Sequence, residues 1–163
     1  MAARVLRHLF APSVRRRFPE QALQRITAAI EAGERRHTGE VCFAVEAALP
    51  VRDVFAGVGA RDRAQDVFAQ LRVWDTQADN GVLLYLLLAD HAIEIVADRG
   101  FADCVTAEEW QAVCRSIEAG LRGGEFERAV IDGVTRLTDI VARCFPRGDA
   151  PDRNELPDRP VVL

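Results

Sequence analysis

Lysine is absent from this 163-residue chain, so all 21 of its Lys and Arg positions are arginine. Schiff-base chemistry, a phosphate-loop lysine and every other amine-dependent mechanism are thereby excluded. Long apolar runs are missing as well. The longest, residues 82–89, is far short of the roughly 20 residues a membrane-spanning helix requires. The N-terminal segment lacks a secretory pattern, because Arg4 and Arg7 interrupt its apolar part and no small-residue cleavage site follows. No two of the four cysteines, Cys42, Cys104, Cys114 and Cys144, have the C-x-x-C spacing of a zinc site or redox pair. They read as small buried hydrophobes in a reducing compartment. Excess positive charge is also lacking: 21 basic against 25 acidic residues leave a net charge of −4, which argues against a nucleic-acid binder. Together these absences lead us to expect a cytoplasmic protein.

What is present fits one globular domain, with 49% apolar and 28% charged residues. A chain of this size buries enough surface to fold without a disulfide or metal staple. The expected organisation is a basic N-terminal arm or short helix (1–17), a domain (18–146) and an extended polar tail (147–163). Arg4, Arg7, Arg15, Arg16 and Arg17 all precede the first acid, Glu20. Val5, Leu6, Leu9 and Phe10 share one face of a short amphipathic helix. The arm is expected to pack on the domain or fray, with at most weak, salt-reversible docking on an anionic membrane or a protein partner.

Local signals give the element order. Phe18-Pro19-Glu20 opens a helix carrying Leu23, Ile26, Ile30 and Gly33 at helical spacing, which Thr38-Gly39 ends. "EVCFAVEAAL" reads as a strand apolar on both faces and ended by Pro50. A second helix bears Ala64, Val67, Phe68 and Leu71. "VWDTQADNG" is a turn region, and "VLLYLLLA" after it is a strand buried on both faces. Asp90-His91 turns that strand into an antiparallel partner, "AIEIVADRG". Thr106 and Glu109 form a capping box for a helix that Gly123-Gly124 stops, and a last helix runs from Phe126 towards Pro146. The expected fold class is α/β: a three-layer α/β/α Rossmann-like sandwich around a short mixed sheet. A right-handed crossover makes the first two strands parallel.

That topology gathers the unusual residues. Parallel strands start at one edge of a sheet, and the third strand ends there. Thr38-Gly39-Glu40, Asp79-Asn80-Gly81 and Asp98-Arg99-Gly100 therefore meet at one rim. Clustered carboxylates repel unless neutralised. Glu40, Asp79, Asn80 and Asp98 offer the hard oxygen ligands that Ca²⁺ or Mg²⁺ prefers, with His37, Thr38 and Arg99 alongside. Arg99 is the alternative, internal counter-ion. The same "DNG" and "DRG" segments also fit ordinary turn chemistry, with glycine supplying positive φ.

The segments "HTGEVCFAVE" (37–46), "VFAQLRVWDTQADNGVLLYLLLADHAIEIVADRG" (67–100) and "GEFERAVIDGVTRL" (124–137), with "NELPD" in the tail, resemble the TPM domain family. That family groups thylakoid-lumen and photosystem II repair proteins, bacterial envelope proteins and an animal receptor modulator. The resemblance spans roughly Phe18 to Phe145 and is most specific where Asp79-Asn80-Gly81 opens a strand. It implies a Rossmann-like sandwich, divalent-cation binding and an acid phosphatase activity proposed for plant members. Many members carry Gly at the position of Asp98, and many carry a signal peptide and a C-terminal membrane helix that this sequence does not show. Two functions follow as expectations: a Ca²⁺- or Mg²⁺-binding module acting through partner or assembly contacts, and a metal-assisted phosphatase acting on phosphate monoesters.

Overall fold

Every residue of two consecutive strands is buried, and this organises the molecule. A computed structural model describes residues 1–148 and 154–163. The elements run α1 (Ala2–Leu9), α2 (Val14–Arg17), α3 (Glu20–Glu34), β1 (Glu40–Glu46), α4 (Val51–Phe55), α5 (Ala60–Gln70), β2 (Gly81–Leu87) and β3 (Ala92–Ala97). A 3-10 turn (Arg99–Phe101), α6 (Ala107–Arg122), α7 (Phe126–Cys144) and β4 (Val161–Val162) complete the chain. All seven residues of β1 and all seven of β2 are buried. Strand alternation divides them between two faces. Val41, Phe43, Val45, Val82, Leu84 and Leu86 join the core under α3, α6 and α7, whereas Cys42, Ala44, Leu83, Tyr85 and Leu87 join the one under α4 and α5. The three-layer sandwich is thus the way these strands escape water.

The sheet is mixed, in the order β3-β2-β1-β4, with β1 parallel to β2 and β3 antiparallel to β2. Pro50 does more than end β1: it caps α4, where its missing N–H costs nothing. The capping box opens α6 as expected, with Thr106 Oγ1 accepting from Glu109 N and Glu109 Oε2 accepting from Thr106 N.

The tail corrects the sequence reading. Residues 149–153 of the expected polar tail lie outside the described residues, and the remainder is not merely extended. Val161 and Val162 pair with Ala44 and Val45 as a fourth, parallel strand, and Leu163 N donates to Val45 O at 3.0 Å. The cause is the outer edge of β1, whose buried backbone groups need partners. Two valines are too short a run to announce a strand by periodicity.

The cysteines need a second correction. Cys104 and Cys144 form a disulfide with their Cα atoms 5.9 Å apart, while Cys42 and Cys114 are free. α6 and α7 form an antiparallel hairpin, so the residue before the hairpin meets the residue at its end despite a separation of 40 positions. Disulfides persist in oxidising compartments, so the cysteines no longer argue for a cytoplasmic protein. Burial pushes the thiol of Cys42 up to about 12 and that of Cys114 up to about 11, so both stay protonated and unreactive. Among the described residues, no helix is long and apolar enough to cross a membrane.

A bridge closing a loop of this length restricts the unfolded chain by about 4 kcal/mol in the chain-entropy model. Urea unfolding of the oxidised protein should therefore lose about 2–4 kcal/mol on adding reductant. The Cys104→Ser, Cys144→Ser double variant should match the reduced protein and ignore the reductant. Equal unfolding midpoints with and without reductant would contradict the assignment.

Candidate functional site

The register of the parallel strands builds the rim. Glu40 pairs with Gly81, so β1 and β2 start level, and Asp98 N donates to Gly81 O at 2.9 Å as β3 ends there. Three hydrogen bonds lock the segments together: Asn80 Nδ2 to Thr38 O at 2.8 Å, Glu40 N to Asn80 O at 3.2 Å, and Gly100 N to Asp79 O at 3.0 Å. Thr76, which the sequence reading overlooked, fixes the turn from within, its buried Oγ1 accepting from Asn80 N at 3.0 Å.

The glycines serve another purpose than expected. Asp79, not Gly81, takes the left-handed conformation, with φ at 51°. An aspartate tolerates that region. Gly81 is required because a Cβ there would collide with the carbonyl of Val73, and at Gly100 it would lie 2.5 Å from Asp79 O. Both allow backbone to approach backbone, and neither supplies positive φ.

The expected site residues separate into three sets. Asp79 and Arg99 form a two-pronged ion pair, with Nη2 donating to Oδ1 at 3.0 Å and Nε 2.9 Å from Oδ2. Arg99 is 80% exposed, so this pair is screened by water and free to open. Asp98 caps the 3-10 turn, its Oδ1 accepting from Arg99 N at 2.7 Å. Its Oδ2 and the Oδ1 of Asn80 are buried without any hydrogen-bond partner among the described residues. Those two oxygens are acceptors with nothing to accept.

Glu40 belongs to a second set. Its two carboxylate oxygens accept from the backbone N–H groups of Glu155 and Leu156, both at 3.2 Å, which fastens the tail beside β4. Burial holds its pKa above the ordinary value, and those amides offset only part of that rise. Glu34 stands next to it, accepting from Val41 N at 3.3 Å. Burial first, then the charges of Asp158 and Glu40, push Glu34 up to about 9, so at neutral pH it is a carboxylic acid. Sequence reasoning missed Glu34 and Asp158 because helix end and tail meet only in three dimensions.

His37 forms the third set. It is fully buried, and its Nδ1 donates to Gly39 O at 2.9 Å, leaving Nε2 as an acceptor without a partner among the described residues. Burial lowers its pKa to about 4, so the ring is neutral. Arg147 donates to the His37 carbonyl from Nε at 3.1 Å and Nη2 at 2.9 Å, and Thr38 N donates to Phe145 O at 3.0 Å. The end of α7 thus holds the segment leading into β1. Among the described residues, no three His, Cys, Asp or Glu side chains stand together as a set able to hold a metal.

The chain belongs to the TPM domain family, whose model matches residues 16–140. The BA42 protein of the psychrophilic bacterium Bizionia argentinensis, solved by NMR, is similar at 27% identity with a TM-score of 0.77, over 88% of this chain and 93% of that one. The N-terminal domain of a P. gingivalis protein, also solved by NMR, shares the fold at 14% identity and a TM-score of 0.62, covering 82% of this chain and 83% of that one. No curated protein matches.

The two shifted groups give opposite pH dependences. The folded state keeps the Glu34 proton from the ordinary 4.5 up to about 9, so its contribution is full below 4.5 and lost as pH rises towards 9. His37 refuses a proton that the unfolded chain takes up, so stability falls as pH drops from 6.5 towards 4. Glu34→Gln should flatten the alkaline decline in urea midpoints and leave the acid decline in place. An alkaline flank unchanged by Glu34→Gln would contradict this account.

Proposed function

We propose that the rim binds a divalent cation, Ca²⁺ or Mg²⁺, through Asp79, Asn80 and Asp98, and that the protein acts as a binding module through partner or assembly contacts. The observation that carries this reading is the pair of unsatisfied buried oxygens, Asn80 Oδ1 and Asp98 Oδ2, in the segments flanking Gly81. A buried acceptor without a donor is costly, and a hard cation or its water shell would satisfy both. The donor set fits: two carboxylates and an amide oxygen, with water completing the shell. Glu40 falls outside it, since its oxygens already hold the tail. His37 does too, because a neutral imidazole is a poor ligand for Ca²⁺ or Mg²⁺. Two carboxylates are few for a Ca²⁺ site, and sparse ligand charge corresponds to the weak end of the range.

The second reading is a metal-assisted phosphatase. Arg99 is the observation in its favour: a cation taking over Asp79 would release an exposed guanidinium suited to a phosphoryl oxygen. In that reading the ion would supply Lewis-acid polarisation of the phosphate. Arg99 would orient the substrate, and Asp98 would accept a proton from water.

Calorimetry on chelator-treated protein separates these. Ca²⁺ or Mg²⁺ should bind in roughly the 0.1–1 mM range. Asp79→Asn or Asp98→Asn should weaken binding about tenfold or more, the effect of removing a charged ligand, while Glu40→Gln leaves it unchanged. No heat at millimolar-range cation, or a loss in Glu40→Gln equal to that in Asp79→Asn, would refute the assignment. Hydrolysis of an aryl phosphate that needs metal and disappears in Asp79→Asn would favour the enzyme over the module.

A further inference from the structure

The N-terminal helix is inside out. On α1 and its C-cap Phe10, the residues turned to the body of the protein are Arg4, Val5 and His8, and the residues turned to water are Leu6, Leu9 and Phe10. Asp90, in the β2–β3 turn, is the anchor. Arg4 donates to it from Nε and Nη2 at 3.0 and 2.8 Å, and Arg7 from Nη2 at 3.2 Å. His8 is buried with Nε2 3.2 Å from the same carboxylate, while its Nδ1 accepts from Leu49 N at 2.9 Å. Burial acts to raise the Asp90 pKa, but the Arg4 and Arg7 hydrogen bonds outweigh it and hold the carboxyl below its ordinary value. The helix is therefore fixed by its polar side and by Val5, which packs against the core. Contrary to expectation, Val5 does not share a face with Leu6, Leu9 and Phe10, and those three are left outward.

The outward side is not scattered. Among the described residues, Met1, Leu6, Leu9, Phe10 and Phe55 are five of the eight large apolar side chains that stand exposed, and Phe10 is 79% exposed. Phe55 ends α4, the helix against which α1 packs. Arg15 and Arg16, on α2, are exposed without an ion pair among the described residues, and Arg52 on α4 is paired only with its neighbour Asp53. This face lies at the end of the sheet where β1 and β2 finish, away from the rim where they begin.

We propose that this face docks on an anionic lipid bilayer, with Leu6, Leu9 and Phe10 entering the headgroup–acyl boundary and Arg15, Arg16 and Arg52 meeting lipid phosphates. Charge decides the occupant. A second copy placed on the same face would bring one set of arginines against the other, whereas an anionic surface complements them. Protruding side chains also need no preformed pocket in a fluid surface, which closes around them. On this proposal the attachment is not purely salt-reversible, because Arg4 and Arg7 are already committed to Asp90. Apolar insertion carries more of the attachment, so salt should weaken binding without abolishing it.

Cosedimentation with vesicles tests this on the full chain, using phosphatidylcholine alone and phosphatidylcholine mixed with phosphatidylglycerol. The protein should partition onto the mixed vesicles and keep part of that binding at about 1 M salt. Replacing Leu6, Leu9 and Phe10 together by Ser should lower partitioning about tenfold or more with circular dichroism unchanged, since all three side chains are exposed. A Leu9→Trp variant should shift its emission to the blue on the mixed vesicles, an independent readout that does not depend on the triple variant. Absence of vesicle binding, binding equal on both vesicle types, or binding indifferent to the triple replacement would each overturn the proposal. So would a dimer in light scattering that the triple variant abolishes, which would assign the face to a second copy.

Discussion

The arrangement of this protein depends on one constraint: β1 and β2 have no polar face. Fourteen residues, seven in each strand, are buried, so apolar helices must cover both sides of the sheet. Polar residues are then driven to the strand ends. At the finishing end of β1, Glu46 is buried with its charge satisfied by Arg63, at 2.8 and 3.2 Å, and by the hydroxyl of Tyr85 at 2.7 Å. At the starting end, Asn80 Oδ1 and Asp98 Oδ2 have no hydrogen-bond partner among the described residues, and the proposed cation site rests on that observation. A native structure satisfies nearly all its buried polar atoms, so orphaned oxygens concentrated in one place require a reason.

The fold was legible where the pattern was local. Segments apolar on both faces at 41–45 and 82–87, the Asp90-His91 turn, and the Thr106–Glu109 capping box each specify their element within a few residues. The sandwich followed because doubly apolar strands leave no other architecture. The features that escaped were long-range or short. β4 is two residues long and exists because β1 has an open edge. The Cys104–Cys144 bridge depends on the α6–α7 hairpin bringing its two outer ends together.

The site was legible as a location and less so as a set of roles. Topology alone brought the Thr38, Asn80 and Asp98 segments to one rim. It did not reveal that Glu40 spends its carboxylate on the tail, since the partners are backbone amides 115 and 116 residues away. Nor did it reveal the work of the glycines: positive φ was the expected need, but Gly81 and Gly100 are there to let carbonyls approach. The arm shows a similar limit. Periodicity finds a short amphipathic helix in the arm, with Val5, Leu6, Leu9 and Phe10 on one face, but the Asp90 contacts turn Arg4 and His8 inward instead.

The proposed cation site rests on the unsatisfied oxygens of Asn80 and Asp98. Nitrogen-15 NMR during a Ca²⁺ titration tests this most directly, because the side-chain amide of Asn80 carries its own signal and its Nδ2 is already fixed to Thr38 O. Cation binding at the rim should give progressive, saturable shifts in that amide and in the backbone signals of residues 79–81 and 98–100, with the tail signals of Glu155 and Leu156 unmoved. Shifts centred on Glu155 and Leu156, or spread without saturation over the surface acids, would contradict it.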